Sequence, residues 1–281
     1  MFNKKRLVAI LTGTLLVGSL VGCSAGGASN SGSGSSDSSK ITISGSTSVG
    51  PTMEILAEDY QKANKGTTIE VQQVGSSAGI TNTIDGTSQI GMSSRDLKDE
   101  EKSELKEYQI AIDGIAVITN SANKVKDLTL DQVKDIYTGK ITNWKEVGGN
   151  DADIVVVSRE DGSGTRDGFQ EIVGFESGDL TSNAQISDGS GNIKTTVQGN
   201  ENAIGYISFG YLDDSINSVK IGGVEPKEEN VYNKKYPISR PFLLVTKGDA
   251  TGDAKSFIDY VLSDDGQKTI EKEGFMSVNQ K

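Results

Sequence analysis

A chain of 281 residues carries 28 Lys and Arg against 39 Asp and Glu, a formal net charge of −11, with one cysteine and no histidine. The missing histidine excludes Ser-His-Asp triads, Cys-His pairs and His-ligated zinc. The acidic balance, few aromatics and lack of a basic run in the folded part argue against a nucleic-acid partner, while carboxylate, Ser-Lys or oxygen-ligated metal chemistry stays open.

Lys4-Lys5-Arg6 followed by the apolar run 7–20 reads as a secretory leader over residues 1–22, too short and wrongly flanked for a stable membrane span. Its end, Leu20-Val21-Gly22-Cys23, resembles the bacterial lipobox. That resemblance implies cleavage before Cys23 and attachment of palmitate-type acyl chains there, enough together to anchor a domain stably. An ordinary signal peptide with an incidental cysteine is the plainer alternative. Once Cys23 is modified no thiol remains, so disulfides and Cys-based metal sites are excluded. Residues 23–40 are mostly Ser, Gly, Ala and Asn and read as a flexible tether. Loss of Lys4, Lys5 and Arg6 takes the net charge from −11 to −14.

A strand is predicted over 41–44, emptying into Gly45-Ser46-Thr47-Ser48 and a helix over 51–64. Met53, Leu56, Ala57 and Tyr60 recur there at helical spacing, with Pro51 in the first turn. A second strand, 69–74, runs into Gly75-Ser76-Ser77-Ala78-Gly79 and a short helix over 78–86. Residues 89–92 form a short strand opening into Ser93-Ser94-Arg95-Asp96; 99–108 is charged and helical; 110–119 is a buried strand interrupted by Asp113-Gly114. Leu130, Val133, Ile136 and Tyr137 make a helical face with Thr129 as N-cap. The Val-rich strand 154–159 runs into Asp161-Gly162-Ser163-Gly164-Thr165 and a helix to 173. A short helix at 193–197, strands at 203–209 and 238–246, and helices at 253–262 and 266–272 complete the chain. The alternation predicts an α/β architecture with mostly parallel sheets, whose ligands bind beyond the carboxyl ends of the strands.

Three strand–turn–helix junctions rich in Gly, Ser and Thr suggest a cage for a small oxyanion. A helix N-terminus offers free N–H groups and positive dipole character, glycine allows close approach, and hydroxyls donate without adding charge. Each turn taken singly could be no more than a helix cap. Past the leader the chain has four arginines, Arg95, Arg159, Arg166 and Arg240, three of them in or beside these turns. Guanidinium suits tetrahedral oxyanions because it binds them through two parallel donors. Arg159 is the favoured ligand residue, whereas Arg166 could pair instead with Asp161 or Asp167. No Gly-Lys-Ser/Thr follows the third turn and no dinucleotide spacing occurs, so nucleotide binding is disfavoured.

The three turns, read as Gly45-Ser46-Thr47-Ser48, Gly75-Ser76-Ser77-Ala78-Gly79 and Ser158-Arg159-Glu160-Asp161-Gly162-Ser163-Gly164-Thr165, resemble the signature loops of phosphate-binding proteins. These are the substrate-capturing subunits of phosphate ABC importers. Agreement continues in Ile136-Tyr137-Thr138-Gly139-Lys140-Ile141-Thr142-Asn143-Trp144, Ile204-Gly205-Tyr206 and Tyr236-Pro237-Ile238-Ser239-Arg240-Pro241, and spans most of 41–281. The resemblance implies a two-lobed type II periplasmic-binding-protein fold with a ligand cleft between lobes, lobe I over 41–118 plus 238–281 and lobe II over 119–237. It implies ligand contacts at Thr47, Ser48, Ser76, Arg159, Ser163, Gly164 and Thr165, with Ser46, Arg95 and Asp161 as ligand or supporting residues.

Ser94 joins this set at a position where some family members carry aspartate. A carboxylate only accepts hydrogen bonds and so favours an anion that keeps a proton, whereas serine both donates and accepts. Either Asp161 supplies the acceptor, or Ser94 accepts while Arg95 compensates charge. The implied function is capture of inorganic phosphate outside the cell by a monomer, lipid-anchored at Cys23 to the outer face of the cell membrane. It would hand phosphate to the permease subunits of an ABC transporter, with no cofactor, no metal and no catalysis. Rivals are a receptor for another tetrahedral oxyanion such as sulfate or molybdate, a secreted phosphatase, and an adhesin or sensor whose cleft has lost its ligand.

Overall fold

The computed structural model describes residues 39–279. The leader, Cys23 with its lipidation, and the tether up to residue 38 lie outside the described residues. In chain order the first part holds β1 (Ser39–Gly45), α1 (Gly50–Ala63), β2 (Thr67–Gln73), α2 (Ser76–Ile84), β3 (Ile90–Ser93) and α3 (Asp99–Glu104). The middle holds β4 (Leu105–Asn120), β5 (Asp127–Leu128), α4 (Leu130–Tyr137), β6 (Val155–Arg159), α5 (Gly164–Val173), β7 (Gln185–Ser187), α6 (Gly189–Gln198), β8 (Ala203–Ser208), β9 (Ile216–Ser218), β10 (Lys220–Ile221) and α7 (Glu228–Tyr232). The last part holds β11 (Ser239–Lys247), α8 (Gly252–Leu262), α9 (Asp264–Lys272) and β12 (Met276–Ser277). Among the described residues no helix is long and apolar enough to cross a membrane.

The strands order as β2-β1-β3-β11-β4-β8-β6-β7, with β9 and β12 also pairing on β4. Two large apolar cores lie along this path. One gathers Ile43, Met53, Leu56, Phe242 and Phe257 beneath β1, β3 and β11. The other gathers Ile115, Val117, Tyr137, Trp144, Phe169 and Tyr206 around β4, β6 and β8. Each core is closed by helices that bury one apolar face, as with Val133, Ile136 and Tyr137 of α4. The Thr129 side chain accepts from Gln132 N–H and caps α4 as the sequence predicts.

β4 feeds both cores, Ile110 and Ala111 the first and Ile115 to Ile118 the second. Its first part, to Gly114, pairs with β11; from Ile115 to Asn120 it pairs with β8 and β9. The change of partner falls at Asp113-Gly114, where an interruption was expected. The strand runs through because its buried carboxylate is answered from outside: Arg240 on β11 donates to Asp113 Oδ2 from Nε at 3.1 Å and Nη2 at 2.8 Å. Ser208 Oγ and Phe209 N–H donate to the other oxygen. Burial pushes the Asp113 carboxyl up, and the Arg240 guanidinium offsets part of that rise. Tyr236 Oη donates to Ile115 O, and Ile115 N–H to Ile238 O, which stitches the returning chain to the outgoing one.

Four expectations are corrected. The charged helix stops at Glu104, and Leu105 to Tyr108 belong to β4, since pairing with β11 outweighs local helix propensity. α2 starts at Ser76, not near Ala78, and α6 is longer than predicted, from Gly189. The sheet is mixed: β1-β2, β1-β3, β6-β7, β6-β8 and β5-β10 are parallel, whereas β3-β11, β4-β11, β4-β12, β4-β8 and β4-β9 are antiparallel. A strand that leaves one lobe and a strand that returns beside it must run oppositely, and this follows from the crossing rather than from the βαβ units.

Candidate oxyanion site

The carboxyl ends of β1, β2, β3 and β6 open onto one place. From β1 the chain turns through Ser46, Thr47 and Ser48 into α1, from β2 through Gly75 into α2, and from β6 through residues 160–163 into α5. α2 and α5 therefore begin at the shared point, each presenting N-terminal N–H groups that no earlier carbonyl of its helix can bind.

The predicted hydroxyls meet in pairs. Ser48 Oγ lies 2.9 Å from Thr165 Oγ1, which joins the turn before α1 to α5. Ser76 Oγ lies 3.2 Å from Ser94 Oγ and accepts from Ser94 N–H. Gly164 closes on these last two so tightly that a Cβ there would fall 2.3 Å from Ser76 Oγ and 2.8 Å from Ser94 Oγ. Only glycine fits at that helix start. Ser48, Ser76, Ser94, Ser163 and Thr165 are all buried, and Thr47 is half-buried. Ser163 is the N-cap of α5, its Oγ accepting from Arg166 N–H.

Arg159 is the charged member of the cluster. Its Nε and Nη2 donate to the two Glu160 oxygens at 2.7 and 2.6 Å, and Nη2 donates again to Thr47 Oγ1 at 2.9 Å. Nη1 is buried and has no hydrogen-bond partner. A buried guanidinium nitrogen without an acceptor is costly, and it is the strongest local indication that the site is shaped for an anion. The backbone beneath is rigid: Arg159 N–H donates to Tyr206 Oη, which also pairs with Ser158 Oγ, and the Tyr206 ring stacks on Phe169 at 4.0 Å.

Glu160 is a residue that sequence reasoning missed. Burial works to raise its carboxyl, but the hydrogen bonds and charge of Arg159 prevail, with help from Gly189 N–H at the start of α6, and hold it below the ordinary value. A fourth Gly/Ser turn, Gly189-Ser190-Gly191, thus meets a carboxylate of the protein itself. The adjacency of Arg159 and Glu160, together with that fourth turn, is the signal that could have found it.

Three of the candidates have partners outside the hydroxyl pairs. Ser46 Oγ accepts from Ser48 N–H and Val49 N–H, so it shapes the first loop from within. Asp161 has a side chain 94% exposed and pairs with Arg166, so it is no acceptor inside the cluster. Arg95 is buried, but Glu101, Asp167, Asp96 O and Ser77 Oγ take all of its donors. Arg166 pairs with Asp161, the alternative left open for it. Arg240, besides Asp113, donates to Ser94 O at 2.9 Å and so ties the third loop to the crossing strands.

Comparison with known proteins agrees with this geometry. Residues 25–265 match the model of a PBP superfamily domain. The phosphate-binding protein PstS of Bacillus subtilis strain 168 is 39% identical over 237 residues, covering 83% of this chain and 78% of that protein. A crystal structure from Clostridium perfringens, described as a candidate phosphate ABC transporter substrate-binding protein with bound phosphate, is 64% identical with a TM-score of 0.83, covering 85% of this chain and 100% of that one. An ABC-type phosphate transport receptor from Vibrio cholerae is 39% identical with a TM-score of 0.75, at 85% and 100% coverage. On fold, cluster and likeness together, the chain belongs to the phosphate-binding protein family, with its two-lobed type II periplasmic-binding-protein architecture.

Proposed function

We propose that this chain is an extracytoplasmic receptor that binds inorganic phosphate between its lobes and delivers it to the permease of an ABC transporter. The observation that carries the reading is the buried, unpartnered Nη1 of Arg159 beside a ring of hydroxyls and two helix N-termini. Thr47, Ser48, Ser76, Ser94, Arg159, Ser163, Gly164 and Thr165 are the proposed ligand residues. Neutral donors and one guanidinium take the place of water around the anion, each charge-assisted bond contributing roughly 1.5–3 kcal/mol before the cost of closing. The acidic surface does not oppose this, because screened charge at a distance is weaker than donors in contact.

The lobes divide, in this reading, where β4 changes partners at Gly114 and where β11 begins at Ser239. Ligand contacts from both sides draw them together. The lipobox-like Leu20-Val21-Gly22-Cys23 supports attachment to the outer face of the membrane through Cys23, and the receptor works as a monomer without catalysis. Isothermal titration of phosphate into protein lacking the leader, with sulfate, arsenate and molybdate as competitors, tests the reading. Phosphate binding that sulfate does not match is the expected result. Preference for sulfate or molybdate would reassign the anion, and turnover of a chromogenic phosphate ester would replace the receptor with an enzyme.

A further inference from the structure

Arg95 is a sequence candidate whose charge the proposed phosphate site does not use, yet its side chain is only 4% exposed. It follows Ser94 directly, and its partner Asp167 follows Thr165 by two residues on α5, so the pair stands just behind two members of the cluster. Glu101 grips one edge of the guanidinium at 2.8 and 2.9 Å, and Lys98 N–H holds Glu101 in turn. Nε–H donates across to Asp167 Oδ2 at 3.0 Å. Of the acceptors around Arg95, Asp167 alone sits in the other lobe. Close by, Ser77 N–H donates to Gly162 O at 3.2 Å, again from lobe to lobe.

We propose that Arg95 and Asp167 are positioning residues for ligand retention, a charged latch that holds the lobes together without using any atom of the hydroxyl cluster. Separation of the lobes would break the Asp167 bond and leave the Glu101 grip intact, so opening would not strand the arginine's charge. Asp167, with its side chain 31% exposed, would rehydrate on release. A contact of this kind is stronger than a bond between neutral hydroxyls, yet reversible and weakened by salt. Because it holds the closed lobes with or without ligand, it slows departure. This deepens the phosphate-receptor reading and rests on it for the kinetic measurement only.

The test is Asp167→Asn in the full chain. Stopped-flow release into a phosphate sensor should show dissociation about tenfold faster than wild type. In phosphate-free protein the Ser77 amide should exchange its hydrogen about tenfold faster, since its bond to Gly162 O depends on the lobes staying together. Added salt should speed release from the wild type and have little effect on the variant. Unchanged Ser77 exchange with unchanged dissociation overturns the latch. Should Asp167→Asn fail to fold, Arg95→Lys, which keeps the charge but cannot reach Glu101 and Asp167 at once, must give the same acceleration, and its failure to do so is equally decisive. If the wild type binds no phosphate, the functional reading fails, and Ser77 exchange alone decides for or against the latch.

Discussion

The crossing strands and the cleft join the same two lobes by opposite means. At the crossing, Asp113 is 0% and Arg240 4% exposed, and Arg240, Ser208, Phe209 and the Ser94 carbonyl complete each other's bonds. At the cleft the link is a few hydroxyl bonds, such as Ser48 with Thr165 and Arg159 with Thr47, and Nη1 of Arg159 has no acceptor. A network complete in itself gains nothing from a newcomer, so it sets a fixed geometry. A network with a buried donor left over gains from any acceptor that fits. Permanence and exchange are thus separated in space, a short distance apart on the same chain.

The largest effect that would test this contrast is on the crossing. Asp113→Ala leaves Arg240 buried without its counterion and should lower unfolding stability by about 3–5 kcal/mol in urea titration. A loss under about 1 kcal/mol would break the comparison, because the crossing would then be no firmer than the cleft. Next comes Arg159→Ala. It removes the proposed anion partner while Glu160 keeps the Gly189 amide, so phosphate affinity should fall by roughly 2–4 kcal/mol in calorimetry. Unfolding stability without ligand should change much less, and equal losses in both would make Arg159 a structural residue.

The smallest effect concerns acid. Glu160 and Glu101, lowered from an ordinary 4.5 by their arginines, contribute stability that is fully present above about pH 4.5 and lost as pH falls through their folded values. Asp113, raised by burial, has the opposite sign and adds nothing to that loss. Urea midpoints measured from pH 7 downward should therefore drop less in Glu160→Gln than in the wild type. Identical slopes would remove Glu160 from the account.

The cleft was legible in the sequence because its parts are local. A strand, a Gly/Ser/Thr turn and a helix lie within a dozen residues, and each turn declares itself by composition. Thr129 as a cap and Ser163-Gly164-Thr165 at a helix start were readable for the same reason. The crossing was not, since Asp113 looks like a break until Arg240, 127 positions later, arrives beside it. Arg95 and Arg159 were told apart only by their partners: both stand at or just past the end of a strand, but Glu101, Asp167, Asp96 O and Ser77 Oγ occupy one completely while Glu160 leaves the other an open edge. Pairings set by distant segments carry no mark in the neighbouring residues.

Gly164 pressed against Ser76 and Ser94 has one more effect. The two lobes meet there with less than a methyl group to spare, so any side chain at position 164 would act as a wedge that keeps Ser76 and Ser94 from their present places.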